Sequence, residues 1–329
     1  MLLQLLSKKL PKKPYGSRSI MPLISVVAPC YDEEGNVEEL HQRLSAVFAQ
    51  FPTYEFELIF IDNCSTDGTV NTIKNIIERD KRVRLIVNAR NFGHIRSPYY
   101  GLLQAHGAAA ILIATDLEDP PELVADFIRL WEKGYRIVVG VKDGVEESKL
   151  FHAMRGAYYR LLSLTSEDPV IDHYHGFGLY DKSVIELLRD NCEPYPYMRG
   201  MIAAMGYDIA KVPFYKPSRK RGFSKNNLYT LYDNAMLGIT SQSRVPLRLA
   251  IFLGFACGFL SFIIAFIYLI MKLIYWQNFT AGQAPMLIGM AFLGSIQLFF
   301  IGLIGEYLLA INTRTQKRPL VVERERVNF

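Results

Sequence analysis

Leu23-Ile24-Ser25-Val26-Val27-Ala28-Pro29-Cys30-Tyr31-Asp32-Glu33-Glu34 sets the pattern for the first half of the chain. A short apolar run, Leu23–Ala28, stops at a proline and gives way to three acids. It reads as a buried strand that delivers carboxylates to its carboxyl end. Asn36 is then placed to cap a helix whose apolar positions are Val37, Leu40, Leu44, Val47 and Phe48. The same alternation continues downstream. Strands are expected at Phe56–Ile61, Val83–Val87, Ala109–Ala114 and Arg136–Gly140, and helices at Thr69–Arg79 and Ile95–His106. A further helix is expected to open at Pro120-Pro121-Glu122, with proline in its first turn. Strand and helix in turn predict an α/β fold, a doubly wound and mostly parallel sheet with both faces covered.

In such sheets ligands bind beyond the carboxyl ends of the strands. The first strand leads into Tyr31-Asp32-Glu33-Glu34, the second into Asp62-Asn63 and Asp67, and the fourth into Asp116, Glu118 and Asp119. One acidic loop would be a helix cap, and Asp67 and Asp119 each stand where a cap is needed. Three acidic loops in this register favour a site for a metal and a nucleotide.

The chain has 329 residues, half of them hydrophobic, and a net charge of +5. That length holds one large domain plus a membrane part, or two modest domains. Basic residues cluster at Lys8, Lys9, Lys12, Lys13 and Arg18, and again at Lys211, Lys216, Arg219, Lys220, Arg221 and Lys225. A third group, Arg314, Lys317, Arg318, Arg324 and Arg326, lies in the tail. Clusters of this kind suit anionic lipid, phosphates or nucleic acid, or simply a solvated loop; a nucleic-acid partner is not expected. Cys30, Cys64, Cys192 and Cys257 have no metal-ligand spacing, and reduced thiols fit them better than disulfides. Leu2 to Leu6 is too short an apolar run for a signal peptide.

No residue between Leu249 and Met271 is charged. At about 1.5 Å per residue the stretch is roughly 34 Å long, enough to cross a bilayer core. Met286 to Gly305 forms a second apolar run, ended by Glu306. The link between them, Tyr275 to Pro285, has no Lys or Arg, while the flanking regions are basic. The positive-inside rule then places residues 1–247 and 313–329 in the cytoplasm. The expected division is a basic segment 1–20, a soluble domain 21–225, juxtamembrane amphipathic helices 226–247, two transmembrane helices within 248–312, and a basic tail 313–329.

Pro29-Cys30-Tyr31-Asp32-Glu33-Glu34, Ile61-Asp62-Asn63-Cys64-Ser65-Thr66-Asp67-Gly68-Thr69, Arg90-Asn91-Phe92-Gly93 and Asp116-Leu117-Glu118-Asp119-Pro120-Pro121-Glu122 resemble the signature of family 2 glycosyltransferases. More narrowly they are similar to the polyprenyl-phosphate glycosyltransferases. The resemblance covers nearly the whole chain. It implies a GT-A fold, a nucleotide-sugar donor, in bacteria often UDP-linked, and a polyprenyl-phosphate acceptor such as undecaprenyl phosphate. It also implies a bacterial inner-membrane location and a possible homo-oligomer, a tetramer in related enzymes. By resemblance Glu33 and Asp62 contact the base or ribose, Pro29 and Tyr31 shape the pocket, and Asn63, Asn91 and Asp116 join the nucleotide site. A departing nucleoside diphosphate gathers charge that Mg²⁺ or Mn²⁺ can stabilise, and carboxylates suit either ion. Asp116 and Glu118, two apart at a strand end, are expected to project the same way and share the metal. Arg219, Arg221 and Lys225 are expected to hold the acceptor phosphate, since arginine gives paired phosphate contacts and Gly222 permits close approach.

Three positions depart from the family pattern: Ala114 stands where an aspartate is common, Asn63 where many relatives have a second aspartate, and Gly176 where Gly-Asp-Phe would supply a candidate base. Asp172, His173 and His175 lie nearby, and His175 is the residue carried forward as a catalytic candidate. A phosphate monoester, with its second pKa of about 6, is already largely dianionic at neutral pH. The implied reaction is a single inverting displacement. Two rivals remain: a processive polysaccharide synthase, which would need a Gln-x-x-Arg-Trp motif, and a non-catalytic membrane scaffold or lipid-binding protein on the same fold.

Overall fold

The computed structural model describes residues 21–142, 171, 174–215, 236, 245–274, 283–316 and 318–329. The elements run β1 (Leu23–Cys30), α1 (Glu34–Phe48), β2 (Glu55–Asp62), α2 (Thr69–Arg79), β3 (Val83–Asn88), α3 (Gly93–Leu103), β4 (Ala109–Leu112) and α4 (Leu123–Glu132). They continue with β5 (Ile137–Lys142), β6 (Tyr174–Asp181), α5 (Lys182–Asp190), α6 (Met198–Ala204), β7 (Ile209–Phe214), α7 (Val245–Ile274), α8 (Gln283–Thr315) and β8 (Glu323–Val327).

The strands form one sheet in the order β7-β5-β6-β4-β1-β2-β3-β8. β1 pairs in parallel with β2 and β4, β2 with β3, and β5 with β7. β6 runs antiparallel between β4 and β5, and β8 runs antiparallel along β3. The carboxyl ends of β1 to β5 and the amino end of β6 therefore share one edge. Side chains of a strand alternate between faces, and the burial follows that period. Ile24, Val26 and Ala28 pack with Leu40, Ile73 and Phe127 on one face. Val27, Ile59 and Ile61 pack with Tyr99, Leu102, Leu188 and Ile202 on the other. Full burial of such side chains stabilises by about 1.5–3 kcal/mol each, before entropy is counted.

Four local expectations are corrected. Asn36 does not cap α1; Glu33 is the cap residue, and the Asn36 amide, one turn inside the helix, donates to Glu33 Oε2 at 2.6 Å. Pro120 and Pro121 lie before α4 rather than in it: their carbonyls accept from Leu123 and Val124 N–H in a tight turn, and the helix starts at Leu123. Asp119 makes no capping bond to α4 and is instead buried at 7% exposure beneath the loop. The helix expected at Ile95–His106 begins two residues early and ends at Leu103. Gly107, in the link to β4, has no room for a side chain, since a Cβ there would stand 2.7 Å from the Leu23 carbonyl and 2.8 Å from Ser25 N.

The tail also has more structure than its basic composition suggests. After α8 the chain returns to the sheet edge as β8. Ala89 N–H donates to the Val322 carbonyl at 2.8 Å, Tyr100 OH to Glu323 at 2.8 Å, and Lys74 pairs with Glu325 at 2.7 Å. Asn328 closes the strand on the Val83 carbonyl at 2.7 Å.

Helices α7 and α8 hold the two apolar stretches. Val245–Ile264 and Phe292–Thr313 are long and apolar enough to cross a membrane, and neither window is buried within the protein. Phe252, Phe255, Phe259 and Phe299 are all exposed. A core helix would bury such side chains. The region expected to hold juxtamembrane amphipathic helices lies, apart from Met236 and residues 245–247, outside the described residues.

Candidate active site

Four loops meet at the carboxyl edge, after β1, β2, β3 and β4. Because β1 is flanked by β4 on one side and β2 on the other, the chain winds away from it in both directions, and a crevice opens at that switch point.

The β1 and β2 loops are laced together by side chains that bind backbone N–H groups. Asp32 accepts from Thr66 N at 2.8 Å, while its own N–H donates to Ser65 Oγ at 2.9 Å. Glu33 N–H donates to Thr69 Oγ1 at 2.9 Å, and Glu34 N–H to Asp67 at 3.2 Å. Gly68 N–H donates to Glu34 at 3.1 Å, and a Cβ on Gly68 would lie 2.2 Å from the Glu34 carboxylate. Asp67 also accepts from Thr69 N at 3.0 Å, so it does help start α2. Of the four non-glycine residues with left-handed backbone among the described residues, three lie one in each of the acidic loops, Asp32 (φ 55), Cys64 (φ 66) and Leu117 (φ 60), and the fourth is Asn328 near the end of the chain. Such conformations cost energy and gather where a ligand site is built.

Asp62, at the end of β2, is fully buried. Its carboxylate accepts from Ser65 Oγ and, at 3.0 Å, from Ser65 N. Burial pushes its pKa up; the Ser65 bonds and the Arg324 charge from β8 pull the other way. Asn63 has its amide engaged within the protein. Its oxygen accepts from Phe92 N at 2.8 Å and Asn88 Nδ2 at 3.1 Å, and its nitrogen donates to Asn91 Oδ1 at 2.9 Å and the Gly93 carbonyl at 3.3 Å. It holds the β3–α3 loop. Asn91 has its oxygen engaged by Asn63 and by Gly93 N at 2.8 Å. Pro29 and Tyr31 are half-buried at the mouth of the crevice, and the Pro29 carbonyl accepts from Thr115 Oγ1 at 2.9 Å, tying the β1 loop to the β4 loop.

Asp116 and Glu118 are not on strand β4, which ends at Leu112, but in a turn beyond it. The strand-alternation argument for their pointing the same way therefore does not apply. What brings them together is a turn in which Asp116 accepts from Glu118 N at 3.1 Å and Leu117 takes its left-handed φ. Both are half-buried. Asp119 is buried beside them. Burial raises its pKa to about 6, with Lys142 opposing and Asp116 adding to the rise. Lys142 Nζ stands 3.9 Å from both Glu118 Oε2 and Asp119 Oδ1, and Asp119 Oδ1 is buried without a hydrogen bond. Lys142 went unnoticed in the sequence, where it only ends an apolar strand; the parallel run of β5 is what carries it to this edge.

This donor set suits a hard divalent ion. It offers three carboxyl groups, a buried acceptor oxygen without a donor, and a single lysine at 3.9 Å from two of the acids. No group of three or more metal-binding side chains occurs among the described residues, so protein oxygens would supply only part of a coordination shell.

His175 and Gly176 begin β6 and so lie at the same edge. Arg199 Nη2, always a donor, points at His175 Nδ1 at 3.1 Å. In that contact the ring nitrogen is the acceptor and its lone pair is engaged. Gly176 has φ 108, which disfavours any side chain there, an aspartate included. The Gly176 carbonyl accepts from Tyr180 OH at 2.8 Å, and that hydroxyl also meets Tyr174 OH. Asp172, His173, Arg219, Arg221 and Lys225 lie outside the described residues.

A doubly wound sheet with acids gathered at its switch point, followed by two helices long and apolar enough to cross a membrane, is the plan of an α/β enzyme. Residues 25–188 match glycosyl transferase family 2. The chain is 33% identical over 300 residues to the uncharacterized glycosyltransferase YkcC of Bacillus subtilis, covering 91% of this chain and 92% of that one. It is 30% identical over 304 residues to the bactoprenol glucosyl transferase of Shigella phage SfX, covering 92% and 99%. The chain belongs to glycosyl transferase family 2, and its sheet is the GT-A type expected from the motifs. Among solved structures, the mannosyltransferase PcManGT from Pyrobaculum calidifontis in complex with GDP-Man and Mn²⁺ overlaps 70% of this chain and 66% of its own, at 18% identity and a TM-score of 0.46.

Proposed function

We propose that the protein transfers a hexose, with inversion, from a UDP-sugar to undecaprenyl phosphate at the cytoplasmic face of a bacterial inner membrane. The observation that carries this reading is the extent of the likeness to a bactoprenol glucosyl transferase. It spans 99% of that relative, so it takes in the apolar helices as well as the acidic edge. A nucleotide-sugar enzyme acting on a soluble acceptor has no need of α7 and α8.

Asp62, buried and ringed by Ser65, is suited to accept an N–H from the base, and Tyr31 and Pro29 to line its pocket. Asn63 acts indirectly, by fixing the loop that carries Asn91. Asp116 and Glu118 would hold Mg²⁺ or Mn²⁺, which when bound supplies Lewis-acid stabilisation of the departing diphosphate. The acceptor phosphate oxygen forms a bond to the anomeric carbon from the face opposite the diphosphate, whose own bond to that carbon breaks. A phosphate oxygen already ionised at neutral pH needs alignment rather than a base. The left-handed glycine at position 176 and the engaged His175 agree with a site that provides none. Arg219, Arg221 and Lys225 remain the cations proposed to receive the acceptor, and α7 and α8 are proposed to span the membrane with both termini cytoplasmic.

The test is a donor panel with undecaprenyl phosphate, following nucleoside diphosphate release and the glycolipid. Turnover with one UDP-hexose and added Mn²⁺ or Mg²⁺ is expected. No turnover with any donor would sink the proposal and favour a scaffold. If Glu118→Gln left metal affinity and turnover unchanged, the shared-metal assignment alone would fail.

A further inference from the structure

The sequence motif Arg90-Asn91-Phe92-Gly93 leaves one residue without a role, and the fold gives it company. Arg90 and Arg96 both place their guanidinium groups over the Phe92 ring, 4.1 Å and 5.3 Å from its centroid. Arg318 joins them from the segment between α8 and β8. The three arginines border a groove of about 370 Å³ with an apolar floor of Ala89, Phe92, Pro319 and Val322. Among the described residues no carboxylate lies within ion-pair distance of any of the three, as is also true of Arg136, Arg189 and Arg324, but here three such arginines line one groove. Arg96 Nε is buried without a hydrogen bond, while its Nη2 donates to the Pro319 carbonyl. Three like charges held together without a counter-charge repel one another. A bound anion would relieve that and give the Arg96 Nε–H an acceptor.

Two facts decide which anion. Arg318 follows Thr315, the last residue of α8, by three positions. The groove thus lies where an apolar helix gives way to the soluble domain. Its floor is apolar while its rim is cationic, which matches a phosphate attached to a hydrocarbon-bearing group rather than a fully solvated ion. The reacting phosphates are excluded by topology. The groove is on β3 and β8, and three strand spacings separate β3 from β4, which leads to Asp116. At about 4.8 Å per strand that is about 14 Å, too far for a phosphate in the groove to reach a sugar held at Asp116.

We propose that Arg90, Arg96 and Arg318 bind the phosphate of a bilayer phospholipid and so seat the soluble domain against the membrane surface. The proposal rests on α7 and α8 spanning the membrane, as in the preceding reading, but not on the identity of the sugar or acceptor. The segment Arg318-Pro319 would act as a strap. It is tied to α3 through Arg96 and to the sheet through β8, so lipid binding would fix the domain relative to the helix that enters the bilayer.

The test uses the full chain in neutral detergent and native mass spectrometry, with phosphatidic acid as probe and phosphatidylcholine as control. Phosphatidic acid is expected to be retained, and R96Q/R318Q to lower its occupancy by about tenfold, with R96K/R318K restoring part of it. Millimolar inorganic phosphate or UDP is expected not to displace it. Unchanged retention in R96Q/R318Q would overturn the proposal. So would displacement by phosphate or UDP, which would assign the groove to a soluble ligand, or by equimolar undecaprenyl phosphate, which would assign it to the acceptor. Glycosyl transfer in detergent is measured on the same samples. Wild-type protein that retains lipid but transfers no sugar breaks the proposed reaction and leaves the groove standing; transfer with no specific retention does the reverse.

Discussion

The two ends of the sheet treat their acids in opposite ways. At the amino end Asp80 and Glu57 each have a cation close by, while Asp181, which ends β6 there, is held by Trp131 Nε1 and by Ser183. Asp80, in the turn before β3, binds Arg82 at 2.7 Å and His41 at 2.9 Å. Glu57, near the start of β2, accepts from Ser25 and stands 2.7 Å from Arg84, which is off the line of its N–H bonds but at ion-pair distance. At the carboxyl end Asp62 is bonded to a serine and a backbone N–H, and Asp119 has a backbone hydrogen bond from Ala114 and a lysine at 3.9 Å. Asp62 and Asp119 there have raised pKa values, while Asp80 at the other end is lowered, as is Glu323, which pairs with Arg326 where β8 meets the end of β3. Paired acids hold the fold together. Acids buried without a close cation cost stability and persist where a ligand completes them. The contrast locates the site without reference to any relative.

The sharpest way to break this contrast is Asp116→Asn. If the carboxyl end is incomplete without a cation, removing one acid should abolish most of the stabilisation of the departing diphosphate. A fall in turnover of about 10²–10⁴-fold is expected at saturating donor and metal, measured as nucleoside diphosphate release, with far-UV circular dichroism unchanged. Retained turnover would mean that Asp116 belongs with the structural acids.

Asp62→Asn separates recognition from chemistry within the same edge. The amide keeps the shape and can still meet Ser65, but it offers a weaker acceptor to a nucleobase. A hydrogen bond to a charged group is worth about 1.5–3 kcal/mol. The donor KM should therefore rise by about ten- to a hundredfold while kcat changes much less. An equal loss in kcat would place Asp62 in the chemical step instead.

How far these residues were visible in sequence depended on whether their partners were local. The parallel strands β1 to β4 were legible because each is an apolar run with a turn signal at its end. Asp62 and Asp116 were legible because strand ends in such folds share one edge. Lys142 was not, since twenty-three positions separate it from Asp119 and only the strand order brings them together. The engagement of Asn63 was not legible either, because the groups that use its amide, on Asn88, Asn91, Phe92 and Gly93, belong to the end of β3 and the loop after it. β8 was invisible for a different reason. Glu323-Arg324-Glu325-Arg326-Val327 has no apolar face, and it becomes a strand through Lys74, Tyr100 and the exposed edge of β3. Gly176 looked like a lost acid until its left-handed φ showed that the backbone there favours glycine.

The amino end supplies the smallest effect and the control. Hydrogen bonds from Arg82, and then from His41, hold the Asp80 carboxyl well below the usual carboxylate range, against the effect of burial. A depressed folded-state pKa means that the folded protein binds the proton less readily than the unfolded chain. The resulting stability is fully present above the unfolded pKa of about 3.9 and is lost as pH falls through the lower folded value. Asp80→Asn should therefore destabilise by about 1 kcal/mol at pH 7, the scale of a largely solvent-screened ion pair. The gap to wild type should shrink as pH drops below about 4. Thermal melts of the two proteins in the same detergent from pH 7 down to pH 3 would show the curves converging, with glycosyl transfer at pH 7 equal in both. Curves that stayed parallel would remove the ion pair as the cause. A loss of transfer would mean that the amino end is not merely structural and that the contrast between the two edges is drawn in the wrong place.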